Sequence, residues 1–532
     1  MKLIKQLKLT SLILVIAFCV NPQITFALDV NVTSDTGTTV TNSVTLGNFT
    51  NSATITTSGA SDGVQNSGTI TTFTNSGTII GGDDGIQNTG TITSLINSGR
   101  INGNFGVFIS NTGTLTTFTN TGTVAGSAHG FLIAGASTTN IINSGTISGS
   151  INFSAVRVAN IGTVNLTLNK GSILVGDLSV NNGGTLNITS NVGASKSYAY
   201  TTAGDGTGTI TLNDLNNRPA VKGSALAINI GSMEMAGENL YQKTANITDA
   251  VDRNVKNNKD TWVEPYYSES TRDSGGDSSQ IRQFKNNKQG VNAGFKVANS
   301  STPLQAIFNV DQTKNNIDSS EHIINSDSVM IGLTAPSYGK CEGFDVSVKG
   351  LVGYANSKTD RKILDNTTTT GARTLTGEYD SYYAVVGSAL SKNYNLDKDL
   401  NANLTLGVDL TSEFRDSYSE NLYFKYNSLD LVQLQPRIQS EFIKTTGKDS
   451  NVFLTAGVGA REVLSGKTQK YSMNNTGVSF TAPNSGDYYA SLAAGTNMNI
   501  AANVNFYTLI SAKMSDRDTE TYQASIGLKG TF

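Results

Sequence analysis

Two rhythms of hydrophobic and polar positions divide the chain. Beyond Trp262, residues alternate between two faces over short segments. Phe344, Val346, Val348, Val352 and Tyr354 share a face opposite Asp345, Ser347 and Lys349; Leu404, Leu406, Val408 and Leu410 oppose Thr405, Asp409, Thr411 and Glu413. Val432, Leu434, Ile438 and Phe442 oppose Gln433, Gln435, Arg437, Gln439 and Glu441, and Val452, Leu454, Ala456 and Val458 oppose a face ending in Arg461. Period-two alternation marks strands with one apolar face. A soluble sandwich alternates too, but segments of about ten residues are the span of a tilted transmembrane strand. The pairs Tyr266-Tyr267, Tyr382-Tyr383 and Tyr488-Tyr489 stand near segment ends, where an interfacial girdle belongs. About twelve such segments fit between 261 and 532, the spacing of an up-and-down barrel.

The first half keeps a longer period. A motif Asn-x-Gly-x-(Ile/Leu/Val) begins at Asn66, Asn75, Asn88, Asn97, Asn111, Asn120, Asn143, Asn160, Asn169 and Asn182, with looser copies at Asn42, Asn51 and Asn191. Copies pair nine residues apart, and pairs recur every 22 to 24 residues over most of the run. That period predicts a solenoid, a parallel β-helix with two such strands per coil. Phe73 and Ile79 point inward, Asn75 stacks on the Asn of the next coil, and Gly77 permits a close or left-handed backbone. About seven coils at roughly 4.8 Å each make a rod on the order of 35 Å long. In repeat phase His129 matches Asp62, Asp84 and Phe105, each just before a glycine, which reads as a solvated corner. The Asp-Gly corners lack the Gly-Gly-x-Gly-x-Asp spacing of calcium-binding repeats and read as turns.

Between the two rhythms, 195–231 reads as the last irregular coils, and 233–258 takes a helical period. Leu240, Thr244, Ile247, Val251 and Val255 form one stripe, with Glu234, Glu238, Lys243, Asp249, Asp252, Arg253 and Lys256 on other faces. A twelve-stranded lumen is wide enough for one helix of about 10–12 Å diameter.

Composition sharpens the compartment. Lys2, Lys5 and Lys8 precede an apolar stretch at 9–20 that is too short to span a bilayer, and Thr25-Phe26-Ala27 ends on a small residue, so 1–27 reads as a cleaved export signal. Cys19 leaves with it, and Cys341 alone cannot form an intramolecular disulfide. A net charge of −3 with 15% charged residues argues against a nucleic-acid partner or a polybasic membrane anchor. Tyr522, Ala524, Ile526, Leu528, Gly530 and Phe532 share a face of the last segment. That ending resembles the signature of outer-membrane proteins that the barrel-assembly machinery reads.

The order of parts, the opening Trp262-Val263-Glu264-Pro265-Tyr266-Tyr267 and the later Leu434-Gln435-Pro436-Arg437-Ile438 resemble the monomeric (classical, type Va) autotransporters. The trimeric kind has a much shorter anchor per chain. The resemblance implies an all-β protein: signal peptide 1–27, β-helical passenger 28–231, pore helix 232–260, and a twelve-stranded outer-membrane barrel 261–532. It further implies a monomer exported by the Sec translocon and inserted into outer-membrane lipid by the barrel-assembly machinery. The passenger would cross through or beside the barrel and fold outside the cell. Some members cut themselves at an Asn-Asn pair in the pore helix; Asn257-Asn258 lies four residues before Trp262.

Function is expected to be surface display of a non-enzymatic rod, an adhesin with a host-cell or matrix ligand, without cofactor or metal. Two other classes compete. An enzymatic passenger (protease or esterase) would need a nucleophile motif, but Gly176-Asp177-Leu178-Ser179 is a scrambled esterase motif, Gly276-Asp277-Ser278 falls in a barrel loop, and His129 is the passenger's single histidine. A nutrient channel would need an open lumen.

Overall fold

A computed structural model describes residues 28–530 apart from 217, 222–224, 256–260, 274–280, 299–302, 422, 448–449 and 483–485. The described chain forms two compact units, 28–189 with 202–211, and 190–201 with 212–530. That boundary differs from the expected break at 231.

The first unit is a solenoid of parallel strands. One sheet runs through Leu28–Val32, Thr45–Asn51, Thr69–Asn75, Thr91–Asn97, Thr114–Asn120, Thr138–Asn143, Thr163–Asn169 and Thr185–Asn191. A second runs through Val40–Asn42, Val64–Asn66, Ile86–Asn88, the ends of Arg100–Ile109 and Thr123–Ile133, then Ser154–Val158 and Asp177–Val180. The starts of those two long strands join Thr54–Thr56, Thr78–Ile80, Thr146–Ser148 and Ile173–Val175 in a third ladder. Coils therefore carry three strands instead of two, because each Asn-x-Gly corner starts a new strand. Like residues stack inside: Ile70 on Ile92, Phe73 on Leu95, and Phe49 against Phe73 with ring centroids 4.4 Å apart. All are fully buried, and each contributes about 1.5–3 kcal/mol.

The second unit holds a closed barrel of twelve antiparallel strands, from Thr261–Arg272 to Thr519–Gly530, joined edge to edge by the pairing of Thr261 with Gly530. Turns at 342–343, 398–399 and 502–503 are tight, while the opposite end carries two longer loops, one holding Tyr418–Glu420 and Phe424–Tyr426 and the other Thr468–Met473 and Thr476–Thr481. Those two loops form a four-stranded sheet of their own. The polarity is inside-out. Val352, Leu406, Leu410, Ile438 and Val458 face outward and are exposed, whereas Lys349, Asp409, Arg437 and Arg461 face the lumen and are buried. This suits a surround of hydrocarbon, where a mid-plane Arg or Lys would cost roughly 2–4 kcal/mol. Among the described residues, no helix is long and apolar enough to cross a membrane. The tyrosine pairs split: Tyr267, Tyr382 and Tyr488 face out, while Tyr266 and Tyr383 are buried inside.

Two helices, α1 (Gly231–Glu234) and α2 (Ala236–Val255), precede the first barrel strand. The stretch 195–231, expected to hold the last coils, divides: 202–211 continues the solenoid, with Thr202–Gly204 beside Asp177–Val180 and Thr209–Asp214 at the end of the first sheet, while the described residues on either side belong with the barrel unit. Ser197–Ala199 pairs in parallel with Ile363–Asp365 on an extended barrel strand, and Leu226–Ala227 pairs with it in turn. Arg218 ties the stretch together through Asp214 (2.9 Å), Asn216 (2.9 Å) and the Gly193 carbonyl (2.9 Å). A strand of three residues has too little alternation to reveal a partner more than 160 positions away.

Candidate functional site

The lumen is the first candidate. Helix α2 is 20 residues long, so it spans roughly 30 Å, close to the hydrocarbon thickness of a bilayer. Leu240, Thr244, Ile247 and Val251, the predicted stripe, are buried, and every other described position of the helix is buried or half-buried. Its charged residues meet the lumen wall in pairs. Glu234, at the end of α1, accepts from Arg272 and Arg517. Glu238 pairs with Arg461 at 2.7 Å, and Asp487 binds the same guanidinium. Asp249 pairs with Lys513 at 2.8 Å, and Arg253 with Glu264 at 2.6 Å. Asp252 takes Lys349 at 2.9 Å and also Arg437, and both cations share Asp409 at 3.1 and 2.7 Å. Lys243 donates to Tyr383 Oη at 2.7 Å, and Lys288 to the α2 carbonyl of residue 243 at 2.9 Å. Two cavities beside the helix measure about 30 Å³ each, room for a water or two, and a third of about 200 Å³ opens beside Asp252 near the helix end.

These partners explain both sequence signatures. In Trp262 to Tyr267, Trp262 and Glu264 point inward, and Glu264 also accepts from Asn254 (3.2 Å) and Tyr507 (2.6 Å). In Leu434 to Ile438, Arg437 points inward to Asp252 and Asp409 while Pro436 faces out. The wall side of the network was not legible beforehand, because the partners lie up to hundreds of residues apart.

The asparagine ladders are the second candidate. Asn51, Asn75, Asn97, Asn120 and Asn143 form one buried column, each amide donating to the next Oδ1 at 2.8 Å. Asn42, Asn66 and Asn88 form another at 2.7 Å. Gly77 serves close approach: a Cβ there would lie 2.1 Å from the Ala53 carbonyl oxygen of the preceding coil. Three expected members stand outside. Asn111 is exposed, because Ile109 takes the place beside Asn88. Asn160 is half-buried and bonds the Ala134 carbonyl at 2.5 Å, since Val158 continues that column through Ile133. Asn169 is half-buried because Leu168 stands beside Asn143. In each case the inward position moved one or two residues ahead of the motif, and an apolar side chain filled it. A further ladder went unread: Asn140, Asn165 and Asn187 bond outside the sheet at 2.8 and 2.9 Å.

The corner at His129 is not solvated. Asp62, Asp84 and His129 are all buried and do one job, accepting a backbone N–H from the next coil. Asp62 accepts from Asp84 (3.1 Å), Asp84 from Phe105 (3.3 Å) and His129 Nδ1 from Ser154 (3.1 Å). Phe105 instead stacks on the His129 ring at 5.6 Å. Burial beside Asp83 and Asp62 pushes the Asp84 carboxyl up to about 7. Burial, and then Arg157 3.0 Å from Nε2, hold His129 down to about 4. Oxygens of Asp62, Asp83 and Asp84 lie within 4.8 Å of one another, which sequence spacing had not suggested.

Of the proposed assembly signal, Tyr522, Ala524, Ile526 and Leu528 lie exposed on the outer face of the last strand. Phe532, the Asn257-Asn258 pair, Gly276-Asp277-Ser278 and the export signal lie outside the described residues.

Comparison with known proteins bears on the barrel. Residues 261–509 match the family model of the autotransporter beta-domain. The translocator domain of the autotransporter NalP from Neisseria meningitidis is 14% identical, with 57% of this chain and 98% of that one covered and a TM-score of 0.42. The transport unit of the autotransporter AIDA-I from Escherichia coli is 10% identical, with 57% and 99% covered and a TM-score of 0.40. The beta domain of a Bordetella autotransporter is 11% identical, with 51% and 99% covered and a TM-score of 0.36. No curated protein matches the chain.

Proposed function

Because the chain belongs to the autotransporters through its C-terminal β-domain, we propose that it exports its own solenoid and displays it at the cell surface for adhesion. The barrel sits in the outer membrane and serves passenger export. The observation that carries the display reading is the direction of α2. Glu234 meets Arg272 and Arg517 at the long-loop ends of the first and last strands, and Arg253 meets Glu264 near the opposite rim. The chain ahead of the helix therefore leaves the barrel on the side of the long loops, the outer side in barrels of this kind.

The route proposed is Sec export, insertion by the barrel-assembly machinery, and passage of the solenoid segment before α2 settles. Stacking of coils one at a time would favour outward movement, since each added coil buries a further layer of the core. The chain works as a monomer. A non-enzymatic passenger is favoured by the state of His129: one ring nitrogen takes a backbone N–H, the other faces an arginine, and the ring stays neutral at neutral pH. Ser154 and Asp177 stand opposite each other nearby, but neither motif supplies an activated nucleophile.

The test is protease shaving of intact cells with fractionation. Residues 28–230 should be degraded from outside while the barrel survives in the outer-membrane fraction. Protection of 28–230 in intact cells would sink the reading. Host-cell binding by bacteria displaying the chain with and without 28–200 tests adhesion separately.

A further inference from the structure

The outer face of the first sheet of the solenoid is polar yet almost free of charge. Seven consecutive strands of it, Thr45–Asn51 to Thr185–Asn191, contain no charged residue, although 15% of the chain is charged; the strand before them brings Asp29, whose carboxylate accepts from Asn48. The other corners and faces carry Asp83, Arg100, Arg157 and Asp177. A merely solvated sheet face has no reason to exclude charge so completely. The excluded charge leaves hydroxyls and amides in register. One row runs Asn48, Thr72, Ser94, Thr117, Asn140 and Asn165, spaced by the strand separation of about 4.8 Å. In the neighbouring row Ile96 and Ile142 are exposed among threonines.

We propose that this face binds a neutral, repeating polysaccharide laid along the solenoid axis. The inference rests on the surface-display reading and names its partner class. Lack of cationic side chains excludes phosphate or sulfate polymers. Lack of exposed Trp, Tyr, Arg and Met excludes the usual anchors of a protein partner. Threonine offers a hydroxyl and a methyl together, which suits a sugar ring with hydroxyl edges and C–H faces; Ile96 and Ile142 add apolar contact. The amides are already oriented: Asn165 donates to Asn140 at 2.8 Å and Asn187 to Asn165 at 2.9 Å, so little side-chain freedom is lost on binding. Each subsite is weak, but a repeating ligand on a repeating surface gains by multivalency.

The test uses the full chain, on intact cells and solubilised in detergent, against insoluble cellulose, chitin and β-1,3-glucan, with heparin beads as the anionic control. Retention on at least one neutral polymer, unchanged by added salt and absent on heparin, is expected. Ser94→Arg with Thr117→Arg should cut retention tenfold or more, whereas Asn102→Arg on another face should not. Thr72→Val with Thr117→Val, which keeps shape and removes hydroxyls, should cut it severalfold with unchanged protease resistance of the solenoid. No retention on any neutral polymer, or equal retention by the face variants, overturns the proposal. So does cell clumping that the face variants abolish without polymer binding, which would make the partner a second copy. Binding by solubilised protein but not by intact cells would sink surface display while supporting this ligand class.

Discussion

At the scale of single residues, the solenoid interior follows a rule of paired acceptors and donors. An internal asparagine such as Asn97 both accepts from Asn75 and donates to Asn120. Asn97→Ala leaves two buried amides each lacking a partner, at about 1–3 kcal/mol; amide hydrogen exchange across 91–123 should quicken accordingly, while Asn111→Ala should change nothing. The repeat motif located the columns but not their ends, since a motif one register out of step looks the same in sequence. The corner column makes a prediction in pH. Asp84 titrates at about 7 in the fold against about 4 when unfolded, so the fold binds the extra proton between these values. Its contribution is full below pH 4 and is lost as pH rises through 7. Asp84→Asn, which mimics the protonated carboxyl, should therefore strengthen protease resistance of the coil at pH 8 by about 2 kcal/mol and leave it unchanged at pH 4. His129 has the opposite sign: lowered to about 4, it favours the fold above pH 6.5 and loses that contribution as pH falls through 4. His129→Phe, which repeats the Phe105 stack, should flatten the acid limb alone.

At the scale of elements, α2 shows what periodicity reports and what it hides. Its apolar stripe was readable because Leu240, Thr244, Ile247 and Val251 share a helical face. Its charged faces look solvent-exposed by the same logic, yet Glu238 and its partner Arg461 are buried. The lumen wall is the reason: it carries an apolar patch that includes Trp262, Ile307, Met330 and Leu351 for the stripe, and charged residues such as Arg461 and Lys513 for the other faces of the helix. The segment 195–231 was read correctly as a last coil only over 202–211; the strand Ser197–Ala199 was missed for a related cause, its pairing with Ile363–Asp365 being remote in sequence. Arg461 joins Glu238 to Asp487, so Arg461→Ala leaves two buried carboxylates without their cation and should destabilise the barrel by about 3–5 kcal/mol. The melting of the heat-modifiable barrel band on gels reads this directly. Lys467→Ala, at an exposed pair with Glu462, should shift that band not at all.

At the scale of the whole barrel, the argument between translocator and channel comes down to the lumen's contents. Twelve strands enclose a space that one helix can fill, and α2 fills most of it, leaving two cavities of about 30 Å³ along the helix and one of about 200 Å³ beside Asp252 near its end. Sequence could count the strands, and the family resemblance put a helix in the pore, but it could not name the wall residues that hold the helix there, because they lie as far from it in the chain as Arg517 from Glu234. Planar-bilayer recordings decide the matter. The intact protein should show small, flickering currents, because water and ions must pass the Lys349–Asp252–Arg437–Asp409 cluster. Removal of 233–258 should give large steady openings. Arg437→Ala with Lys349→Ala, which leaves Asp252 and Asp409 facing each other without a cation, should raise the frequency of full openings while the barrel stays folded. A large constant conductance in the intact protein, equal to that of the deletion, would show that the helix does not close the lumen and would restore the channel reading.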